Sequence, residues 1–340
     1  MARTEFGRTG LRVERNGFGA LPIQRISQAD AVRLLRRARD GGMDFFDTAR
    51  SYTDSEEKLG AAFSGSWNGI VLATKTPAKT PDQFRADLDA SLRALRTDHI
   101  DLYQFHNPPA CPRPGDGSGL YEAMLEAKRQ GKIRFIGITN HRLQVAREAV
   151  QSGLYDALQF PFSYLSTPEE TRLAEDCLRA GMGFVAMKAL SGGLITNSAA
   201  ACAWIMEHKG VVPIWGVQRE RELEEFLSYI AAPPRLTGEM REKIGDDRAA
   251  LSGEFCRGCG YCMPCPQGIQ INTCARASLL LRRAPSEMLL SEEGVRIMEK
   301  VPDCVHCGQC AAKCPYGLDT PALLARNYQD YREALAGKLL

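Results

Sequence analysis

Eight of the twelve cysteines in this 340-residue chain fall into two short runs near its C-terminus. The first run spaces its cysteines by two residues and ends in proline: Cys256-x2-Cys259-x2-Cys262-x2-Cys265-Pro266. The second has one more residue before its last cysteine: Cys304-x2-Cys307-x2-Cys310-x3-Cys314-Pro315. Spacing by two residues lets three thiolates converge on one face of a small cluster, and the proline turns the chain away. The two runs therefore predict a metal-binding segment.

The spacing of the second run is typical of [4Fe–4S] ligands in bacterial ferredoxins, where the last cysteine of a run binds the other cluster. It predicts two cubanes with crossed ligation. One cluster would be held by Cys256, Cys259, Cys262 and Cys314. The other would be held by Cys304, Cys307, Cys310 and Cys265. Because the first run lacks the usual third residue before its fourth cysteine, Cys274 is the alternative to Cys265.

Two other kinds of site use clustered cysteines. A structural zinc site usually takes two pairs of ligands, not four cysteines within about ten residues. A disulfide framework needs an oxidising compartment and is typical of small secreted domains. The first six residues contain no apolar stretch like that of a signal peptide, so we expect a reducing, cytoplasmic location. Iron–sulfur clusters are therefore the prediction, and zinc is the alternative.

The composition is that of an ordinary globular protein, with 44% hydrophobic and 25% charged residues. A net charge of +2 gives no indication of a nucleic-acid partner. No apolar run has the length of a membrane-spanning helix, so no membrane association is expected. Three scattered cysteines are expected to be inert fillers of packed positions: Cys111, Cys177 and Cys202.

Short apolar segments alternate with longer charged segments from about residue 16 to residue 230. Eight of the apolar segments are candidate strands: Asn16–Leu21, Met43–Asp47, Gly69–Thr74, Ile100–Phe105, Ile133–Ile138, Ala157–Phe160, Gly183–Met187 and Val211–Ile214. The segments between them have the periodicity of helices, and helices are predicted, for example, over Gln28–Arg39, Pro81–Leu95 and Glu222–Tyr229. Eight β-α units favour a closed (β/α)8 TIM barrel of the α/β class over a doubly wound sheet.

The segments Thr4–Phe6 and Leu11–Val13 flank Gly7-Arg8-Thr9-Gly10, which predicts a hairpin that covers the barrel floor. A boundary is expected near Pro233-Pro234. The barrel domain is predicted to span residues 1–235. Residues 236–340 are predicted to form a small, mostly helical, ferredoxin-like domain with two iron–sulfur clusters, and Ala275–Lys300 between the cysteine runs is predicted to be helical.

Catalytic residues of a (β/α)8 barrel lie at the C-terminal ends of the strands and in the loops that follow. Asp47 and Tyr52 follow the second predicted strand, Lys75 ends the third, and His106 ends the fourth. Side chains that can donate, accept or stabilise a proton are therefore expected to converge on one rim from three neighbouring strands.

These residues lie in four motifs: Asp47-Thr48-Ala49-x2-Tyr52-x2-Ser55-Glu56-x2-Leu59-Gly60, Ala73-Thr74-Lys75, His106 and Gly137-Ile138-Thr139-Asn140. With them the chain resembles the aldo-keto reductase superfamily over about residues 1–230. Together with the cysteine runs, it resembles the subgroup with a C-terminal ferredoxin-like 4Fe-4S extension. The resemblance implies a barrel oxidoreductase that reduces carbonyls, or oxidises alcohols, with a nicotinamide cofactor.

The resemblance implies a role for each of the four rim residues. Tyr52 is the expected general acid that protonates the oxygen on which hydride addition builds negative charge. A free tyrosine has a pKa of about 10, and the ammonium of Lys75 is expected to lower that pKa. Asp47 is expected to pair with Lys75, and His106 to donate to the substrate oxygen and orient it.

The resemblance also implies a nucleotide site. Three residues would contact the nicotinamide carboxamide: Thr139, Asn140 and Gln159. Met187 stands where many relatives have an aromatic side chain that stacks on the nicotinamide ring. The pyrophosphate would lie against Lys188 and the glycines of the next loop, Gly192 and Gly193. The loop after the last strand would hold the adenosine 2′-phosphate of NADP(H) through Gly216, Arg219, Arg221 and, at the adenine, Glu224. For Arg219 and Arg221, a solvated helix start with Arg and Glu pairs is the alternative.

Nicotinamide transfers two electrons as hydride, whereas an iron–sulfur cluster transfers one at a time, so coupling them normally needs a converter such as flavin. Three functions follow. In the favoured one, the barrel reduces a small-molecule carbonyl and the clusters brace the extension. In the second, the clusters pass electrons between an external ferredoxin-type carrier and a barrel-bound flavin. In the third, the chain is a non-catalytic electron-transfer module.

Overall fold

The computed structural model describes residues 3–251, 255–283 and 287–337. The chain divides into two compact units. The first comprises Met1–Ala189 and Cys202–Leu236, and the second comprises Leu190–Ala201 and Thr237–Leu340. The segment Leu190–Ala201, which the sequence assigned to the barrel domain, therefore groups with the C-terminal unit. Sequence order places this loop beside its strand, whereas its contacts group it with the C-terminal helices.

The first unit begins with an antiparallel hairpin of β1 (Arg3–Glu5) and β2 (Arg12–Glu14), in which Thr4 lies opposite Val13. A short 3-10 turn and Gly10 connect the two strands. Gly10 has a φ of 73°, which glycine adopts without the steric penalty of a side chain. The predicted hairpin is therefore present, displaced by one residue from the expected bounds.

Eight parallel strands then close into a barrel. They are β3 (Gly17–Gly19), β4 (Phe45–Asp47), β5 (Val71–Thr76), β6 (Ile100–His106), β7 (Ile133–Thr139), β8 (Ala157–Pro161), β9 (Gly183–Met187) and β10 (Val211–Gly216). Closure is made by β10 and β3, where Trp215 lies opposite Phe18. The predicted (β/α)8 barrel is confirmed.

Helices follow the barrel strands. They are α1 (Gln28–Asp40), α2 (Ser55–Phe63), α3 (Pro81–Leu95), α4 (Leu120–Arg129), α5 (Leu143–Ser152), α6 (Pro168–Arg179), α7 (Ser198–Glu207) and α8 (Glu220–Ala231). Several begin at a side-chain cap, as at Ser27, whose hydroxyl accepts from the Asp30 amide at 3.1 Å. Proline begins α3 and α6, where its missing N–H needs no partner.

Phe6 joins the hairpin to the barrel. Its ring is fully buried and packs in one cluster with Phe45 and Val71, each the first residue of its strand. The ring occupies the space above Gly183, where a Cβ would collide with it. The hairpin therefore covers the N-terminal end of the barrel, as predicted, and leaves the opposite rim for chemistry.

The second unit is helical. Its helices are α9 (Gly238–Ala250), α10 (Ile271–Cys274), α11 (Ala277–Arg283), α12 (Glu287–Leu290), α13 (Glu292–Met298), α14 (Gln309–Lys313) and α15 (Thr320–Leu335). The predicted helical segment Ala275–Lys300 falls on α11, α12 and α13, and its residues 284–286 lie outside the described residues. The small core combines aliphatic side chains of α15 with buried cysteines, and Tyr331 donates to the Leu289 carbonyl at 2.8 Å.

Among the helices of the described ranges, none has the length and apolar character needed to cross a membrane.

We expect Phe6→Ala to destabilise the barrel by about 3–5 kcal/mol, because the truncation leaves a cavity under the hairpin. For a unit of this size the thermal midpoint should fall by roughly 6–20 °C. Circular dichroism melting would measure the change, with Leu21→Ala as control because Leu21 is 41% exposed. Equal midpoints for Phe6→Ala and the wild type would contradict the packing role of Phe6.

Candidate active site and candidate metal centre

A buried ion pair lies at the C-terminal rim of the barrel. Lys75 Nζ donates to Asp47 Oδ2 at 2.7 Å and to the Thr48 carbonyl at 2.6 Å. Asp47 ends β4 and Lys75 lies near the end of the adjacent β5, so parallel pairing brings the two side chains together. The side chains are 3% and 1% exposed, respectively. The predicted pairing of Asp47 with Lys75 is therefore present.

Two glutamines complete the surroundings of the carboxylate. Gln104 Nε2 donates to Asp47 Oδ1 and Gln159 Nε2 donates to Asp47 Oδ2, each at 3.3 Å. Gln104 Nε2 also donates to Gln159 Oε1 at 3.0 Å. Both carboxylate oxygens therefore accept hydrogen bonds, which stabilises the ionised form. Burial raises the pKa of Asp47 and lowers the pKa of Lys75, while their mutual attraction opposes both shifts.

The rings of Tyr52 and His106 adjoin this pair. Lys75 Nζ lies 5.0 Å from the centroid of the Tyr52 ring, and the Tyr52 and His106 rings meet edge to face at 5.8 Å. The four residues predicted for catalysis are thus brought together at one rim.

The direction of the Tyr52 pKa shift is opposite to the prediction. Burial, and then the negative charge of Asp47, raise the pKa of Tyr52 above its ordinary value. Burial of the phenol, which the spacing of residues in the sequence does not reveal, outweighs the expected effect of Lys75. Burial and the charge of Lys75 lower the pKa of His106 to about 3. At neutral pH the site therefore holds a protonated phenol beside a neutral imidazole.

Three residues predicted to contact a carboxamide lie at the ends of β7 and β8. Thr139 and Gln159 lie opposite each other in the sheet, and Asn140 follows directly. All three are buried. Asn140 Nδ2 donates to the Pro108 carbonyl at 2.9 Å, and its Oδ1 accepts from the Arg142 amide at 2.8 Å.

The predicted ring-stacking and pyrophosphate residues follow β9. Met187 is half-buried and packs against the inner apolar cluster of the barrel. Lys188 has a φ of 56°, a left-handed conformation that is uncommon for lysine. Gly192 and Gly193 have φ values of 66° and 94° and belong to the second unit.

The predicted phosphate-binding residues lie at β10 and α8. Gly216 ends β10, and Arg219 and Arg221 are exposed at the start of α8. The Glu222 carboxylate accepts from the Arg219 amide at 3.1 Å and so caps this helix. Glu224 forms a two-point ion pair with Arg37 of α1, at 2.7 and 2.8 Å. The pair occupies one acceptor position on each oxygen of the Glu224 carboxylate.

The cysteines of the two runs line two separate cavities in the second unit. The first cavity is lined by Cys256, Cys259, Cys262 and Cys314, among other residues. The second is lined by Cys265, Cys304, Cys307, Cys310 and, again, Cys262. Cys274 lines neither cavity: it is fully buried and its thiol donates to the Ile297 carbonyl at 3.6 Å. Each cavity is therefore lined by three cysteines of one run and by the last cysteine of the other, with Cys262 also reaching the second cavity.

Thiols within each group lie close enough to affect one another. Burial raises the pKa of Cys256, and the charges of Cys259 and Cys314 raise it further. Burial and neighbouring thiols likewise raise the pKa of Cys262 to about 12. Such a group is unfavourable as thiolates unless a cation neutralises it, and bound metal deprotonates coordinating thiols. In the described ranges, no three His, Cys, Asp or Glu side chains form a set suited to a single metal ion.

Comparison with known families agrees with both sites. Residues 16–200, more than half of the chain, match the model of the Aldo/keto reductase family. The chain belongs to the aldo/keto reductase family. Residues 255–319 match the 4Fe-4S dicluster domain, so this family member carries an iron–sulfur domain C-terminal to its barrel in the sequence.

Similar proteins include oxidoreductases of bacteria and plants. The chain is 27% identical over 321 residues to an uncharacterized oxidoreductase, YrpG, of Bacillus subtilis, covering 79% of this chain and 98% of that protein. It is 30% identical over 213 residues to L-galactose dehydrogenase of Arabidopsis thaliana, covering 56% of this chain and 66% of that protein. A 6-dehydroglucose reductase of Novosphingobium aromaticivorans is 27% identical, over 65% of this chain and 88% of that protein.

A solved structure shares the aldo/keto reductase fold. The holo form of AKR11C1 from Bacillus halodurans superposes with a TM-score of 0.65 at 22% identity, covering 75% of this chain and 98% of that chain. At this identity the likeness establishes the fold alone.

The rim of this family member fits a nicotinamide. Among the described residues, the hydrogen bonds of Asn140 and Gln159 use one donor and one acceptor position of each amide, and each amide has two of both. Gln104 Oε1 is buried and, within the described part of the chain, has no hydrogen-bond partner. The site therefore offers both amide donors and acceptors, as a carboxamide requires.

Gln104 is the functional residue that the sequence prediction missed. Side chains alternate along a strand, so Gln104 shares the inward face of β6 with His106. That alternation could have identified it. The burial of Arg276 in the second unit could not be predicted in this way. A single arginine after Cys274-Ala275 lies in no recognisable sequence pattern.

We expect Lys75→Met to destabilise the barrel by about 3–5 kcal/mol, because it leaves Asp47 buried without its counter-charge. Adding Asp47→Asn should restore part of that loss. Thermal midpoints would measure both effects, and Arg85→Met is the matched control because the Arg85–Asp82 pair is exposed. The pair would have no structural role if Lys75→Met melted like Arg85→Met.

Proposed function

We propose that the barrel catalyses NADP(H)-dependent reduction of a small-molecule carbonyl, or the reverse oxidation of an alcohol, with Tyr52 as general acid. The observation that carries the proposal is the buried Lys75–Asp47 pair directly beside the Tyr52 and His106 rings. Buried charges of this kind are unfavourable unless fully partnered, and perturbed pKa values cluster at functional sites.

A bound nicotinamide would supply hydride to the carbonyl carbon. Tyr52 then gives its phenolic proton to the carbonyl oxygen as negative charge develops there. Burial, and then the negative charge of Asp47, raise the pKa of Tyr52, so the phenol is protonated at neutral pH and carries the proton that the reduction step consumes. His106, neutral because its pKa is lowered to about 3, donates an N–H to the same oxygen without adding a charge.

Binding of the nucleotide would use the residues at the neighbouring strand ends. Thr139, Asn140 and Gln159 hold the carboxamide, and Met187 packs against the ring. Lys188 with Gly192 and Gly193 receives the pyrophosphate. A preference for NADP(H) over NAD(H) is supported by Arg219 and Arg221, which are exposed at the start of α8 beside Gly216. Glu224, paired with Arg37 of α1, would accept a further hydrogen bond from the adenine amino group.

The eight cysteines around the two cavities would hold two [4Fe–4S] clusters. Cys256, Cys259, Cys262 and Cys314 form one ligand set, and Cys265, Cys304, Cys307 and Cys310 form the other. Such clusters supply one-electron transfer when bound. Retention of their thiolate ligands fits a reducing, cytoplasmic location.

A second candidate function is electron transfer with an external ferredoxin-type carrier. The observation that favours it is the exposure of Cys307, which places the second cavity at the surface of its unit. A barrel-bound flavin would then convert between single electrons and hydride. A yellow flavin spectrum beneath the cluster absorbance of anaerobically purified protein would support this candidate, and its absence would support the reductase.

Tyr52→Phe should lower kcat for carbonyl reduction about 10²–10⁴-fold, because the proton donor is lost. Affinity for NADPH should change little. Steady-state kinetics with a panel of sugar and non-sugar aldehydes, and fluorescence titration of NADPH, would measure the two quantities. Tyr121→Phe is the control, since Tyr121 lies on α4 and its hydroxyl donates to the Leu154 carbonyl. Wild-type turnover in Tyr52→Phe would overturn the role of Tyr52, and no turnover in the wild type would favour a non-catalytic module.

Anaerobically purified protein should contain about eight iron and eight sulfide per chain. Cys265→Ser should lose much of the iron of one cluster, whereas Cys274→Ser should retain both. Metal and sulfide analysis measures the difference between these matched variants. Zinc in place of iron, or greater iron loss in Cys274→Ser, would contradict the assigned ligand sets.

A further inference from the structure

Arg276 is a buried cation of the second unit whose surroundings the proposed function does not explain. Arg276 is only 8% exposed. Its guanidinium lies close enough to Cys256 and Cys259 for their thiolate forms to attract it. Both cysteines line the first cavity. A buried guanidinium is strongly unfavourable without a counter-charge, so the thiolates of this cavity are suited to compensate it.

The same guanidinium binds the loop that follows β9. Arg276 Nη2 donates to the Gly192 carbonyl at 2.6 Å. Gly192 lies so close that a Cβ there would be 3.3 Å from Nη1. Both residues belong to the second unit, because Leu190–Ala201 groups with the C-terminal helices.

Gly258, which lies in the first cysteine run, packs against the Arg276 guanidinium. Its φ is 63°, and a Cβ at this position would collide with Arg276 Nη1. The Gly258 amide in turn donates to Cys256 Sγ at 3.4 Å. The guanidinium is therefore packed between the backbone of a ligand-bearing loop and the backbone of the Gly192 loop.

One polar atom of Arg276 remains without a partner. Nε is buried and, in the described ranges, no acceptor lies within hydrogen-bonding distance. A sulfur atom of a cluster is the kind of acceptor that this site would supply, and hydrogen bonds to cluster sulfurs tune the reduction potential.

We propose that Arg276 is a positioning residue that both holds the Gly192–Gly193 loop for the nucleotide pyrophosphate and stabilises the reduced form of the adjacent cluster. The inference rests on the proposed function, which assigns the cluster to Cys256, Cys259, Cys262 and Cys314. Reduction adds one electron and hence one negative charge to the cluster, and a nearby fixed cation favours that state. Because one side chain serves both groups, cluster reduction and nucleotide binding are linked, and the linkage is reciprocal.

The test uses anaerobically purified full-length holoprotein and three variants: Arg276→Gln, Arg276→Lys and the control Arg296→Gln. Arg296 is an exposed arginine of α13 in the same unit, so its variant makes the same charge change away from the cavity. Four quantities are measured: iron and sulfide content, cluster midpoint potentials by EPR-monitored dithionite titration with and without NADP+, the Kd for NADP+, and hydrogen exchange of the Gly193 and Ile195 amides.

Arg276→Gln should shift the midpoint potential of one cluster to a more negative value and leave the other unchanged. The Gly193 and Ile195 amides, which donate to the Leu190 carbonyl at 2.9 and 3.2 Å, should exchange faster in nucleotide-free protein. The Kd for NADP+ should rise at least about fivefold, and any shift of potential that NADP+ causes in the wild type should disappear. Arg296→Gln should match the wild type throughout.

Unchanged potentials together with unchanged exchange in iron-replete Arg276→Gln would overturn the inference. If Arg276→Gln loses the cluster, Arg276→Lys becomes the variant that tests the inference. Lysine keeps the positive charge but lacks the planar guanidinium. Arg276→Lys should then retain a near-wild-type potential while the loop amides exchange faster, and wild-type exchange would overturn the inference. Wild-type protein without iron would instead refute the proposed cluster ligands, and wild-type protein without NADP+ affinity would refute the proposed nucleotide site.

Discussion

The ion pair between Lys75 and Asp47 is the interaction on which the rim of the barrel depends. Two opposite charges removed from water are stable only when their remaining hydrogen-bonding positions are also filled. Thr48, Gln104 and Gln159 fill them, and these residues come from three different strand ends. Pairing of β4 with β5 forms the ion pair, and curvature of the sheet into a barrel brings Gln104 and Gln159, from strands not adjacent to β4, within hydrogen-bonding distance of Asp47.

The pair also sets the character of the two rings beside it. Burial, and then the charge of Asp47, raise the pKa of Tyr52, so the phenol keeps its proton. Burial, and then the charge of Lys75, lower the pKa of His106, so the imidazole stays neutral. One charge pair thus supports two adjacent groups with different protonation roles, which is the arrangement that acid catalysis at a carbonyl oxygen requires.

Much of the fold and of both sites could be predicted from the sequence. Each apolar segment from Asn16–Leu21 to Val211–Ile214 overlaps a barrel strand, since burial between a barrel interior and its helices demands continuous apolar residues. Spacing within the cysteine runs likewise anticipated which thiols share a cavity. Three features escaped prediction: the grouping of Leu190–Ala201 with the C-terminal unit, the amide bridge of Gln104, and the raised pKa of Tyr52.

The amino-acid sequence by itself was sufficient to predict properties that depend on neighbours in the chain. These properties are strand periodicity, helix caps and the spacing of successive cysteines. Three features were decided only by the tertiary structure: the direction of the Tyr52 pKa shift, the lining of the second cavity by Cys265 and not by Cys274, and the burial of Arg276 against Gly192. Each depends on which distant groups share a desolvated space, because the strength of a charge or hydrogen bond is set by its surroundings and not by its position in the chain.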